Sequence, residues 1–132
     1  MLQIHYGLNQ PFNSAFTPSR EPSVATATFV VGSWIHLTNG KAVAAGVGDT
    51  NCEIVFEPND KNATHVVPTI SGHFEASTDQ FTGSIADNDY LKMGALGVLV
   101  AETTPATCTV FTIAQAIGAA VAGSSLLRFK TV

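Results

Sequence analysis

The sequence predicts an all-β fold, a small antiparallel β-barrel or sandwich, and three observations support this prediction. Short stretches rich in β-branched and aromatic residues recur at even spacing along the chain. Glycine, asparagine, aspartate or proline separates one stretch from the next. The helical spacing of apolar residues never persists for more than two turns. We therefore expect eight to ten short strands.

The expected strands follow one another from residue 28 onward. They cover residues 28–31, 33–37, 41–47, 52–57, 66–76, 90–93, 97–102, 107–113 and 126–132. Gly32 separates the first two, and Asn39-Gly40 is typical of a two-residue hairpin turn. Residues 114–123 stay open, because their alanines favour a short helix whereas Gly118 disfavours one.

Alternation of apolar and polar residues assigns faces to several of these strands. In 52–57 the alternate residues Cys52, Ile54 and Phe56 share one face, which leaves Val55 between two glutamates on the other. In 66–76, Ile70 and Phe74 are expected on the same face of the strand. In 126–132 the apolar residues Leu127 and Phe129 alternate with two cations. Each pattern predicts a strand with one face in a core.

Length and charge limit the function classes. A chain of 132 residues fits one domain. Charged residues make up 12% of the chain, about half the usual share, so part of the surface is neutral or covered by other subunits. The net charge of −4 and the scattered cations exclude the basic face of a nucleic-acid-binding protein. No apolar run reaches a membrane span and no signal peptide is recognisable, so we expect synthesis in the cytoplasm.

Residues 1–24 differ from the body, residues 25–132, and suggest an extended N-terminal arm. Pro11, Pro18 and Pro22 favour extended or turn conformations in this stretch. Spaced apolar residues suit docking against another surface, and the candidates for partner contact are Leu2, Ile4, Tyr6, Phe12 and Phe16. The arm can dock on a neighbouring protein or form a strand on its own body, and both interpretations remain open.

No catalytic, cofactor or metal site is predicted. The four histidines lie in no metal-ligand spacing, and no serine lies in a nucleophile motif. Cys52 and Cys108 are interpreted as two buried free thiols. Pairing of Cys52 with His65 for catalysis is disfavoured, because alternation places this thiol on an apolar face.

Two further features have a functional and a structural interpretation. Asp87-Asn88-Asp89 begins like a calcium loop, but the later ligands are missing and a simple turn is favoured. Together with Asp79 these carboxylates also suggest glycosidase acids, although Asp is common in turns. Trp34 is assigned to the core in preference to stacking on a sugar or a partner.

Residues 28–132 resemble the small β proteins that decorate the heads of tailed bacteriophages. The resemblance rests on SGHFEASTDQF at 71–81, NDYLKM at 88–93, the glycine-led strand from Gly97, and the Ala/Gly-rich closing segment from 116 to 130. Residues 32–41 are similar to the opening hairpin of these proteins. In the decoration proteins a glycine precedes the aspartate of this segment. The present sequence has Asn88 at that position.

The resemblance implies a non-enzymatic cement protein on the exterior of the virion. Such a protein binds the major capsid protein as a homotrimer and bridges neighbouring shell subunits. Two alternatives are another virion β protein, in the tail or fibre base, and a β module that binds carbohydrate or another ligand. An enzyme ranks last, because no catalytic constellation is present in the sequence.

Overall fold

The expected all-β fold is confirmed, and it is a sandwich of antiparallel sheets. The structure is a computed structural model that describes residues 1–5, 16–23, 28–58, 66–103 and 107–132. Within these ranges no sheet closes into a barrel. No helix in the described ranges has the length and hydropathy needed to cross a membrane.

Thirteen strands lie within the described residues, more than the eight to ten expected. They are β1 (Leu2–Ile4), β2 (Phe16–Pro22), β3 (Trp34–Thr38), β4 (Lys41–Ala44), β5 (Glu53–Val55), β6 (Val66–Gly72), β7 (Glu75–Thr78), β8 (Ser84–Ile85), β9 (Tyr90–Met93), β10 (Leu99–Ala101), β11 (Thr112–Ala116), β12 (Ala120–Val121) and β13 (Leu127–Thr131). A 3₁₀ turn, Ala95–Gly97, joins β9 to β10.

The strands form two large sheets and one small one. The first sheet has the order β1-β7-β13-β11-β9-β10, and the second has the order β2-β6-β5-β3-β4. The short strands β8 and β12 pair with each other. All strand pairs within the sheets are antiparallel.

Several local predictions are confirmed. Asn39 and Gly40 have φ angles of 51° and 75° and connect β3 to β4, as a two-residue turn with positive φ at both central positions requires. Strand β9 has the expected bounds, and β13 buries Leu127 and Phe129 while its cations face outward. Asn88 has a φ of 67°, which glycine adopts freely and asparagine tolerates. Asparagine can therefore occupy this position in place of the glycine of the decoration-protein pattern without a change of backbone.

The single strand expected at 66–76 was wrong. The chain breaks at Gly72, whose φ is 100°, so that β6 and β7 belong to different large sheets. The alternation of burial nevertheless continues across the break, because Ile70 and Phe74 both face the space between the sheets. The sequence pattern of a bend that keeps this alternation is the same as that of one straight strand, so the bend was not predicted.

The strands expected at 28–31 and 107–113 were also wrong. Residues 28–30 are irregular, and β3 begins only after Gly32, which has a φ of 90°. Residues 107–111 form a loop before β11, in which the Thr109 and Thr112 hydroxyls donate to the buried carboxylate of Glu102, each at 2.9 Å. Residues 114–123 hold the end of β11, a turn and β12 rather than a helix. Four other strands are shorter than expected, namely β4, β5, β10 and β13.

The main core lies between the two large sheets and is built around three aromatic rings. Trp34 of the second sheet packs against Phe74 and Phe129, with ring centroids 6.0 and 6.1 Å apart. The two phenylalanine rings meet edge to face at 6.1 Å. Trp34 is 3% exposed, which confirms its assignment to the core.

A second, smaller core covers the opposite face of the second sheet. It contains Ile35, Ala42, Val55 and Val67, with Phe29 and Val31 packed over it. Some Cα atoms of the edge strands β2 and β4 lie within 8 Å of each other, so the sheet curls around this core. Val55 was expected on a polar face, but it is fully buried because both faces of the sheet are covered.

Replacing Glu53 by glutamine should raise the Tm by a few degrees at neutral pH and leave it unchanged near pH 4. Burial raises the pKa of Glu53, and the negative charge of Glu21 raises it further, while the hydrogen bond from Thr69 lowers it. A raised pKa stabilises the fold below the unfolded pKa, and this stabilisation is lost as pH rises through the folded pKa. A glutamine oxygen still accepts the Thr69 hydrogen bond.

Thermal unfolding of both proteins from pH 4 to pH 8 measures this difference. The matched control is Glu57→Gln, which removes the same charge from an exposed position. An equal gain from both variants would show that net charge, and not burial of Glu53, sets the pH dependence.

Candidate functional site

The structure places three of the five candidate partner-contact residues. Leu2 and Ile4 lie in β1, pair with β7 and pack half-buried against the main core. Phe16 begins β2, which pairs with β6 along its whole length. Tyr6 and Phe12 lie outside the described residues.

The described parts of the N-terminal segment therefore form strands on the chain's own body, one in each large sheet. Removing residues 1–22 would delete β1 and β2, so this deletion does not separate partner binding from folding. Pro18 and Pro22 in the edge strand β2 lack the N–H groups that an added strand would need. A role of the five residues in partner contact stays a prediction.

A different exposed apolar surface emerges from three loops, and we call it the apolar loop patch. Its members are large hydrophobic side chains that point into solvent, namely Val47, Leu96, Val110 and Phe111, exposed by 74%, 79%, 85% and 50%. Scattered exposed apolar residues are ordinary on a protein surface, but a contiguous group marks an interaction surface.

Specific backbone contacts bring the three loops together. The Gly48 N–H donates to the Met93 carbonyl at 3.0 Å, and the Gly97 N–H donates to the Ala45 carbonyl at 2.8 Å. A Cβ on Gly48 would lie 3.7 Å from the ring of Phe111. The loop before residue 49, the 3₁₀ turn and the loop before β11 therefore meet at one end of the sandwich.

The backbone holds Leu96 in an unusual conformation. Leu96 has φ 56° and ψ 30°, in the left-handed region that a leucine rarely occupies. The next residue, Gly97, also has a positive φ, and a Cβ there would lie 2.2 Å from the Trp34 carbonyl oxygen. Strained residues of this kind persist only where the surroundings enforce them, and they concentrate at functional sites.

The segments that carry the patch side chains contain no charged residue, and Asp49 directly follows the first of them. Residues 45–48, 94–98 and 107–111 contain no Asp, Glu, Lys, Arg or His. Depletion of charge together with enrichment in large apolar and aromatic residues is typical of the core of a protein–protein interface.

A contact beneath the patch fixes one of its loops. Asp49 accepts a hydrogen bond from the Gly46 N–H at 2.7 Å, which closes the turn that carries Val47. The Oδ2 of Asp49 also lies 2.6 Å from Nδ1 of His36, without the angle of a hydrogen bond. On the other side of the ring, Nε2 lies 2.9 Å from the Thr38 hydroxyl. The carboxylate of the turn therefore lies in close contact with the β3–β4 hairpin.

No protein-family model and no curated protein matches this sequence.

The acidic residues singled out in the sequence serve local structure. Asp87 accepts a hydrogen bond from the Gly118 N–H at 2.7 Å, and Asp89 accepts one from the Ala86 N–H at 2.9 Å. Asp79 accepts one from the Gln80 side chain at 3.0 Å. Across the described ranges no group of three or more His, Cys, Asp or Glu side chains is placed to hold a metal ion.

The two cysteines are free, as expected, but only one is sheltered. Cys52 is half-buried, and burial, with smaller effects of Asp49 and Glu53, raises its pKa to about 12. Its thiol is therefore protonated and unreactive at neutral pH. Cys108 is exposed, which corrects the expectation of two buried thiols, because the segment expected to form a strand there is a surface loop.

The apolar loop patch was missed from the sequence. The expected strands at 107–113 and 41–47 included Val110, Phe111 and Val47, whereas Leu96 lay between two expected strands. The available signal was the coincidence of three uncharged segments, each with a large apolar residue and two of them with glycines. Only the fold shows that these segments adjoin.

Proposed function

We propose that this protein is a non-enzymatic structural protein that binds the outside of a tailed-phage head as a homotrimer and bridges major capsid subunits. The observation that carries the proposal is the apolar loop patch, in which large apolar side chains from three adjoining loops are exposed to solvent. The resemblance of residues 28–132 to head-decoration proteins supplies the class of partner.

The character of the patch suits repeated binding to a shell. An uncharged apolar surface buries its side chains without the cost of desolvating ions. A trimer presents three such patches, and simultaneous contacts with several shell subunits convert modest single-site affinity into strong attachment. Leu2, Ile4, Tyr6, Phe12 and Phe16 remain predicted additional contacts.

Copy number in purified virus particles tests the proposal. Quantitative mass spectrometry would compare this chain with the major shell protein. A ratio near one to one, or a simple fraction of it, supports a decoration role. A handful of copies would favour the tail or fibre base, and absence from particles would overturn a virion function.

Substitution of Leu96 by asparagine should weaken shell binding by about tenfold or more and leave the fold intact. One well-packed apolar anchor contributes more than about 1 kcal/mol at many interfaces. Asparagine tolerates the left-handed backbone at this position better than leucine does. Sedimentation of the variant with shells that lack the protein measures the bound fraction.

The matched control is Leu126→Asn, the same change at an exposed leucine outside the patch. It should bind like the unmodified protein. Equal loss of binding in both variants, or none in Leu96→Asn, would remove the patch from the shell contact.

A further inference from the structure

Glu102 is a buried carboxylate without a cation beside it. It directly follows β10 and is only 5% exposed. Within the described part of the chain it forms no ion pair with Lys, Arg or His. A buried charge costs stability unless hydrogen bonds or an opposite charge offset its lost hydration. The burial of Glu102 therefore depends on the hydrogen bonds that it accepts.

Two threonine hydroxyls near the start of β11 supply these hydrogen bonds. Oε1 of Glu102 accepts from Thr109 and from Thr112, each at 2.9 Å. Hydrogen bonds to an ionised acceptor are roughly twice as strong as neutral ones. The carboxylate at the end of β10 thus holds the loop that leads into β11.

Each hydroxyl also accepts a backbone N–H of the same loop. The Phe111 N–H donates to the Thr109 hydroxyl at 3.1 Å, and the Thr109 N–H donates to the Thr112 hydroxyl at 2.9 Å. A hydroxyl has one proton and two lone pairs. Donation to Glu102 commits that proton and leaves the lone pairs for the two N–H groups. One carboxylate oxygen therefore organises the backbone of residues 109–112.

This network carries two members of the apolar loop patch. Val110 and Phe111 lie between the two threonines in the sequence, and they are 85% and 50% exposed. Because little of their apolar surface is removed from water, burial contributes little to holding them in place. The hydrogen bonds to Glu102 fix the backbone that carries them.

We propose that Glu102 is the positioning residue of the apolar loop patch and presents Val110 and Phe111 to an apolar surface of the partner. Its side chain is too deeply buried to touch the partner, so it acts through Thr109 and Thr112. A loop that is already fixed in its binding conformation loses less entropy on association, which strengthens binding. The phage shell as the partner rests on the proposed function, whereas the positioning of the loop does not.

Hydrogen exchange in the ¹⁵N-labelled full chain, followed by nuclear magnetic resonance, tests the positioning of the loop. Glu102→Met removes the acceptor, and the Thr109 and Phe111 amides should then exchange about tenfold faster. Glu102→Gln keeps an oxygen that accepts both hydroxyls, so exchange should stay within about threefold of the unmodified protein. The amides of Ala116 and Thr131 donate within the first sheet and should not change in either variant.

The matched control is Glu57→Met, the same substitution at an exposed glutamate. It should leave exchange at Thr109 and Phe111 unchanged. Unchanged exchange at these two amides in Glu102→Met would overturn the proposal. Acceleration by the same factor at Ala116 and Thr131 would also overturn it, because Glu102 would then support the whole fold.

Sedimentation with shells that lack the protein tests the link to the partner. Glu102→Met should bind about tenfold more weakly, and Glu102→Gln should bind within about threefold of the unmodified protein. Equal binding by these two variants, or full binding by Glu102→Met with a loosened loop, would overturn the proposal. If the unmodified protein does not bind shells, the proposed function fails, and the exchange rates still decide whether Glu102 positions the loop.

Discussion

Gly97→Ala is expected to lower the free energy of unfolding by about 4 kcal/mol or more, a large part of the roughly 5–15 kcal/mol of a typical domain. A Cβ at this position would lie 2.2 Å from the Trp34 carbonyl oxygen and 3.0 Å from the Trp34 nitrogen. Both neighbours are backbone atoms of β3, so they cannot rotate away. The φ of 72° adds the strain of a left-handed conformation.

Gly118→Ala separates the clash from the backbone strain. Gly118 has a φ of 88°, but no atom lies within 4 Å of the position of an added Cβ. We expect a loss of roughly 1–2 kcal/mol, which is the conformational cost alone. Urea denaturation followed by the fluorescence of Trp34 measures both variants. Equal losses would mean that β3 does not pack against Gly97 as described.

Phe129→Ala is expected to lower the free energy of unfolding by about 3–5 kcal/mol. The ring is fully buried and contacts Trp34 and Phe74, so its loss opens a cavity at the junction of the two sheets. Its cross-strand partners are Ala76 and Ala116, whose methyl groups are too small to fill that space. Urea denaturation measures the change.

The matched control is Phe111→Ala, which removes the same ring from a half-exposed position in the apolar loop patch. Its effect on stability should stay within about 1 kcal/mol, as for surface substitutions. A loss as large as that of Phe129→Ala would place Phe111 in the fold's core and argue against its role in binding. Together the two variants separate folding from the proposed interaction.

The fold class was predictable because strand signals are local. Alternation of apolar residues and the turn preference of Asn39-Gly40 each depend on a few neighbouring residues. The structure contains both the alternating strands and the predicted turn. The final strand followed the same rule, with Leu127 and Phe129 buried and Arg128 exposed. The apolar loop patch was not predictable, because Val47 lies about fifty residues before Leu96 and about sixty before Val110 in the sequence, and tertiary contacts at Gly48 and Gly97 bring these loops together.

The sequence by itself determined an all-β chain, its main turns, and the burial of Trp34, Phe74 and Phe129, because each depends on residue type and short-range periodicity. Tertiary structure alone decided that β6 and β7 lie in different sheets and that Val55 is buried beneath a second core. It also decided that the buried Trp34 N–H has no hydrogen-bond partner among the described residues. Alternation reports only that one face of a strand is apolar. Which partner covers that face, and which donors stay without one, depends on contacts between residues distant in the chain.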